Sequence, residues 1–200
     1  MAQCISYSGF AKKDQKGIRM DLFEKTIDST RLFEGRVINV RRDTVELSTG
    51  KQSLREVVEH PGGVVIAALQ GEEMFFVEQF RYPMSEVITE LPAGKLEWGE
   101  DPDSAAKREL KEETGLSAQS IIRLGVLYPS PGFSGEKLYL YLATGLSQGE
   151  QELDDGELLH CRKIPFETAM SMVYSNEIKD GKTIALLSMV DHLRREGKLE

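Results

Sequence analysis

The order of the secondary-structure signals predicts an α+β fold: strands first, one helix, more strands, and two closing helices. Two observations carry that expectation. Short β-branched and aromatic runs recur between Gly, Pro and Ser breaks, as strands and turns alternate along a sheet. A single helical stretch with clear ends then interrupts them, without the regular strand–helix alternation of a doubly wound sheet.

Residues 1–20 mix charges without a period and are expected to form an N-terminal arm, either weakly ordered or a start-site extension. Residues 21–53 read as a small antiparallel β unit. Its strand signals are Phe33-Glu34-Gly35-Arg36-Val37-Ile38 and Thr44-Val45-Glu46-Leu47, followed by the turn Ser48-Thr49-Gly50. The main domain is expected over 54–200. Strands are placed at Arg55–Val58, Val64–Leu69, Met74–Phe80 and Val87–Leu91, with breaks at Pro61-Gly62-Gly63 and Gly71. The helix that follows starts at Asp101, an N-cap residue type, with Pro102 in the first helical position, and stops at Gly115. Further strands are predicted at Ile121–Leu127, Leu138–Ala143 and Leu158–Ile164. Two helices close the chain, Phe166–Tyr174 and Thr183–Arg195, the second with Ile184, Leu187, Val190 and Leu193 on one face.

Composition narrows the functional classes. A net charge of −8 argues against a general nucleic-acid surface, which needs a basic patch. Acidic side chains can still serve an anionic substrate by holding divalent cations that meet its phosphates. No apolar stretch is long enough to cross a membrane, and the N-terminus lacks the pattern of a secretory signal, so a cytoplasmic protein is expected. Cys4 and Cys161 form neither a disulfide framework nor a zinc spacing. His60, His160 and His192 are scattered without ligand spacing and are left out of the expected site.

The chemistry concentrates around the first helix. Glu109, Glu112 and Glu113 lie three and four residues apart and so project to one side within about a turn. Like charges so placed repel, and a cation removes the cost. Magnesium in particular takes oxygen ligands and keeps waters and substrate phosphates among them. Arg108, four residues before Glu112, can brace one carboxylate while the others face a metal. Gly94 marks a tight backbone passage before the helix, and Ala105, Ala106 and Leu110 supply its apolar stripe. A Glu-rich helix alone usually presents only a solvated face. Here the whole string is present: Gly94, five residues, Glu100, seven residues, then Arg108-Glu109-Leu110-Lys111-Glu112-Glu113-Thr114-Gly115-Leu116.

That string resembles the Nudix box at every defining position, and the chain is identified as similar to the ADP-ribose pyrophosphatase-like branch of the Nudix hydrolases. The likeness runs over roughly Phe23 to Leu193. It includes Arg55-Glu56-Val57-Val58, Glu78-Gln79-Phe80-Arg81, Glu90-Leu91-Pro92-Ala93-Gly94-Lys95-Leu96, Ser130-Pro131-Gly132-Phe133 and Asp180-Gly181-Lys182-Thr183. Pro131 stands 16 residues after Gly115, the offset at which that branch carries a proline.

The resemblance implies the Nudix fold, a mixed β-sheet in an α/β/α sandwich, and a homodimer built with the N-terminal strands. It implies Mg²⁺, with Mn²⁺ as a substitute, held by the Ala93 carbonyl and by Glu109, Glu112 and Glu113. Glu112, Glu113, Glu157 and Arg108 are the expected catalytic set. An acidic loop, Glu152 to Glu157, looks like the loop that brings a carboxylate to the substrate; Glu157 matches best, with Asp155 and Glu152 as alternatives. Arg55 and Arg81 are candidates for phosphate contact through their planar forks, and Glu90, Ser130, Gly132 and Phe133 complete the expected substrate-binding set. Phe80, Tyr82 and Phe133 are candidates to stack on a base, with plain packing as the competing role. Trp98 is expected as a loop anchor or pocket rim. The implied activity is hydrolysis of the pyrophosphate of a nucleoside diphosphate sugar, ADP-ribose foremost and GDP-mannose or another nucleotide-sugar as the alternative. A non-catalytic nucleotide-sugar sensor is the reading from a different class.

Overall fold

A computed structural model of the chain describes residues 22–153 and 155–199. The expected arm over 1–20 lies outside them. Two compact units divide between Val58 and Glu59.

The first unit is a three-stranded sheet in the order β1 (Lys25–Glu34), β2 (Asn39–Glu46), β3 (Gln52–Glu59). Of the run Phe33–Ile38, read as a strand signal, only Phe33 and Glu34 are strand, at the end of β1; residues 35–38 are the β1–β2 connection. There the Gly35 N–H donates to the Ile38 carbonyl at 3.1 Å and to Asn39 Oδ1 at 3.2 Å. Apolar alternation and a glycine turn overlap in that run, and the turn prevails. The Ser48-Thr49-Gly50 turn forms where expected, with the Gly50 N–H on the Leu47 carbonyl and Gly50 in the left-handed region. All ten residues of β1 are exposed in the single chain.

The second unit holds a seven-stranded mixed sheet. Its strands are β4 (Gly63–Gln70), β5 (Glu73–Arg81), β6 (Glu86–Glu90), β7 (Ala93–Lys95), β8 (Leu116–Leu127), β9 (Leu138–Gln148) and β10 (Leu159–Pro165). The main path runs β10-β5-β4-β9-β8, with β4 and β9 parallel and every other pairing antiparallel. β4 and β5 pair only at Ala68–Gln70 and then diverge. β6 fills the opening against β5, β7 fills it against β4, and the Ile66 N–H donates to the Pro92 carbonyl at the corner between them. That splay positions the site.

Period-two alternation along β4 builds both layers. Val65, Ala67 and Leu69 pack with the closing helices α2 (Phe166–Tyr174) and α3 (Gly181–Arg195), around Phe166, Met170, Leu186, Leu187 and Val190. Val64, Ile66 and Ala68 pack on the other face with Ala105, Ala106 and Leu110 of α1 (Pro102–Thr114). The result is the expected α/β/α sandwich.

α1 forms because its ends are chemically marked. Asp101 Oδ2 accepts from the Ser104 N–H at 3.0 Å, Pro102 follows, and Gly115 at φ 70° closes the helix with its N–H on the Lys111 carbonyl. Asp103 pins the first turn to the sheet, accepting from the Tyr141 hydroxyl at 2.6 Å and from Arg123 Nε at 3.2 Å. No described helix is long and apolar enough to cross a membrane.

Candidate active site

Helix α1 lays Glu109 and Glu113 against β7. Both carboxylates are nearly buried, with Glu109 9% and Glu113 2% exposed. The Ala93 N–H donates to Glu113 Oε2 at 2.8 Å. Gly94 has an ordinary φ, so backbone freedom is not its purpose. A Cβ there would overlap the Glu109 carboxylate, and glycine is what lets helix and strand close together. The expected tight turn at Gly94 is therefore a close approach.

Arg108 holds more than the one carboxylate expected of it. Its Nη1 donates to Glu109 Oε1 and Glu112 Oε2, both at 2.8 Å, while Nε and Nη2 donate to Glu100 at 3.1 Å each. Burial opposes the guanidinium charge, but this ring of carboxylates raises its pKa. The same contacts hold Glu100 below the usual carboxylate range.

Burial pushes Glu113 up to about 8, opposed by the Ala93 N–H and reinforced by the charges of Glu157 and Glu109. Burial pushes Glu109 up to about 7, opposed by Arg108 and reinforced by Glu112 and Glu157. The site is thus short of positive charge at its buried end. Its donor set is hard carboxylate oxygen, which suits Mg²⁺ or Mn²⁺. Among the described residues no three His, Cys, Asp or Glu side chains already converge as a ligand set, and Arg108 engages Glu109 and Glu112. The residues fit a divalent cation in chemistry, with the guanidinium as the competitor that must yield.

The acidic loop reaches this cluster through the end of α1. The Gly149 N–H donates to the Gly115 carbonyl at 2.7 Å, Gln151 Nε2 to the Glu113 carbonyl at 2.5 Å, and the Glu152 N–H to the Glu112 carbonyl at 3.1 Å. The Glu152 side chain pairs outward with Lys111 at 2.8 Å. Glu157 lies close enough to raise both buried carboxylates, and its Oε1 accepts from Gln79 Nε2 at 3.4 Å. Asp155 is exposed.

Beside the cluster, a cavity of about 700 Å³ opens at the β4–β5 splay. Ala93, Arg81 and Glu90, three of the expected site residues, line it together with Gly94. Arg81 Nε and Nη2 donate to Glu90 at 2.6 and 2.8 Å, and Nη1 has no partner among the described residues. Glu90 is fully buried behind that fork, so its carboxylate faces Arg81 and Lys182.

Ser130, Gly132 and Phe133 do not line the cavity. They sit on the loop just past its wall residues Tyr128 and Pro129, where the Ser134 N–H donates to the Ser130 carbonyl at 2.9 Å. Phe80, Tyr82, Phe133 and Trp98 are exposed. Arg55 belongs to the three-stranded unit, where it pairs with Glu24 at 2.8 and 2.5 Å.

Two cavity residues escaped sequence reasoning. His60 and Glu136 face each other with Nδ1 3.6 Å from Oε1, and His60 Nδ1 accepts from the Gly62 N–H at 3.0 Å. Burial and nearby Lys95 lower the His60 pKa against the pull of Glu136. A lone histidine beside Pro61-Gly62-Gly63 carries no ligand spacing. Lys182 and Asp180 also line the wall, and the matched string Asp180–Thr183 was the available signal for them.

Comparisons with known proteins converge on this arrangement. The NUDIX domain pattern matches residues 59–187, and the pattern described as "Nucleoside diphosphate sugar hydrolase N-terminal domain" matches residues 24–58. The chain is 43% identical to an ADP-ribose pyrophosphatase of Bacillus subtilis over 81% of its own length and 89% of that protein. It is 42% identical to a methanol dehydrogenase activator of Bacillus methanolicus over 80% and 89%. A crystal structure of an ADP compounds hydrolase superposes with a TM-score of 0.77 at 21% identity, covering 89% of this chain and 98% of that one, which establishes the shared fold. With its box on α1, its carboxylates against β7 and both patterns matched end to end, the chain belongs to the Nudix hydrolase family.

Proposed function

We propose that this chain hydrolyses the pyrophosphate bond of nucleoside diphosphate sugars, with ADP-ribose as preferred substrate and AMP and ribose 5-phosphate as products. The observation that carries this is the pair of buried carboxylates, Glu109 and Glu113, packed against the Ala93–Gly94 strand at the edge of the Arg81-lined cavity. Its volume, about 700 Å³, falls within the roughly 300–1,000 Å³ of small-ligand sites. The 43% identity to an ADP-ribose pyrophosphatase supports the choice of sugar.

The Ala93 carbonyl, Glu109, Glu112 and Glu113 would hold Mg²⁺, or Mn²⁺ as a substitute. When bound, the cation would supply charge neutralisation at the phosphates and Lewis acidity toward the nucleophile. Arg81 presents its unengaged Nη1 to a phosphate oxygen, and its fork suits that geometry. Glu157 accepts the proton of the attacking water as the new P–O bond forms. The bridging P–O bond breaks, and the leaving phosphate takes its electron pair. Arg108 keeps Glu100 in place through Nε and Nη2 while its Nη1 yields Glu109 and Glu112 to the cation.

The three-stranded unit, β1 to β3, which takes in most of the small β unit read from the sequence over 21–53 and continues through β3, serves as the dimerisation element, supported by Ile27, Leu32 and Phe33, exposed on β1 in the single chain. In the homodimer Arg55 contacts the substrate of the other subunit, and Ser130, Gly132 and Phe133 close over the sugar. The protein works in the cytoplasm, on a small nucleotide-sugar rather than on nucleic acid or a membrane.

A panel of ADP-ribose, ADP-glucose, GDP-mannose, UDP-glucose, NADH, diadenosine polyphosphate and dGTP with Mg²⁺ tests the reading through release of nucleoside monophosphate. ADP-ribose fastest is the expected result. GDP-mannose fastest would replace the sugar and base while keeping the class. Tight ADP-ribose binding without product would favour the sensor reading.

A further inference from the structure

Glu90 is a wholly buried carboxylate outside the α1 cluster, and its second cationic partner comes from a distant part of the chain. Lys182 Nζ, from the first turn of α3, is hydrogen-bonded to Glu90 Oε2 and lies 3.0 Å from Asp180 Oδ1. Asp180 caps the same helix, its Oδ2 accepting from the Thr183 N–H at 3.0 Å. Thr183 is fully buried, and its Oγ1 accepts from the Leu91 N–H at 2.8 Å.

One helix turn therefore grips two successive residues, Glu90 by its side chain and Leu91 by its backbone, just before Pro92-Ala93-Gly94. A buried carboxylate needs full compensation, and removing one of its partners leaves it poorly paired. Without Lys182, the Arg81 fork becomes the main counter-charge of Glu90 and is drawn toward the wall.

We propose that Lys182 is a positioning residue for Arg81. It anchors Glu90 from α3, and Glu90 in turn fixes the Nε–Nη2 edge of Arg81 so that Nη1 stays available to the pyrophosphate. This rests on the reading of Arg81 as a phosphate contact. Lys182 itself lines the cavity with its side chain only 14% exposed, which makes direct contact the rival role to be separated by experiment.

The test is a double-mutant cycle on ADP-ribose hydrolysis with Mg²⁺, using Lys182→Met, Arg81→Met and the pair, with Lys182→Arg as the conservative variant. Lys182→Met is expected to raise KM about tenfold with kcat within about threefold, as a misdirected charge-assisted contact does. Lys182→Arg restores most of the loss, and the pair is no weaker than Arg81→Met alone. Additive KM losses in the pair would overturn the proposal in favour of direct substrate contact. An unchanged KM for Lys182→Met would overturn it outright. Should Lys182→Met not fold by thermal melting, Lys182→Gln enters the same cycle with the same expectations. A wild type inactive on ADP-ribose would overturn the proposal together with the reading it rests on, whereas an active wild type with additive losses removes the proposal alone.

Discussion

Replacing Glu113 with glutamine separates the catalytic role of this side chain from its cost to the fold. The carboxylate is 2% exposed, and burial pushes it up to about 8 from an ordinary 4.5. Between those values the folded chain keeps a proton that the unfolded chain has released. Stability is therefore full below about pH 4.5 and declines as pH rises toward 8, by up to about 1.4 kcal/mol per unit. Glu109, pushed up to about 7, adds to the decline in the lower part of that window. Glutamine keeps an oxygen to accept the Ala93 N–H and carries no charge to bury. Urea unfolding in EDTA at pH 5, 6.5 and 8 measures the difference. Wild type should lose about 2–4 kcal/mol more than Glu113→Gln between pH 5 and 8. Adding Mg²⁺ at pH 8 should stabilise wild type far more than the variant, since only the intact cluster gains a ligand. Parallel profiles, or a variant less stable than wild type at pH 8, would refute the claim that a buried, uncompensated carboxylate sits at the site.

Gly94→Ala drives a methyl group into the Glu109 carboxylate, so it should destabilise the fold by about 1–3 kcal/mol and weaken Mg²⁺ binding about tenfold or more, read by urea unfolding and titration calorimetry. Glu157→Gln should lower kcat about 100-fold or more, as loss of a general base does, whereas Glu152→Gln, whose side chain pairs outward with Lys111, should stay within about twofold. Equal losses for the two would move the base role away from Glu157.

Local chemistry was legible in the sequence and non-local pairing was not. Asp101, Pro102 and Gly115 mark the ends of α1 by rules that act within one helical turn, and the helix begins and ends there. β4, β5, α2 and α3 likewise follow their apolar patterns to within a residue or two. β7 was missed because three residues behind a proline show no periodicity; only the gap between β4 and β5 makes Ala93–Lys95 a strand. β8 and β9 run well past their apolar cores, Leu116 to Leu127 and Leu138 to Gln148, since mutual pairing carries polar residues along. At the site, the spacing of Glu109, Glu112 and Glu113 on one helix face was readable. Which carboxylates Arg108 would bridge was not, because Glu100 arrives from the preceding loop. The Arg81–Glu90–Lys182 set and the His60–Glu136 pair join residues far apart in the chain, and no spacing rule connects them.

The most direct measurement is ADP-ribose hydrolysis with Mg²⁺ by wild type and Glu113→Gln, with AMP and ribose 5-phosphate both quantified. Equal amounts of the two products from wild type are expected, with turnover reduced about 100-fold or more in a variant that remains folded. Near-normal turnover by the folded variant, or intact ADP-ribose after incubation with folded wild type, would contradict the assignment of this buried carboxylate cluster as a pyrophosphate-hydrolysing site.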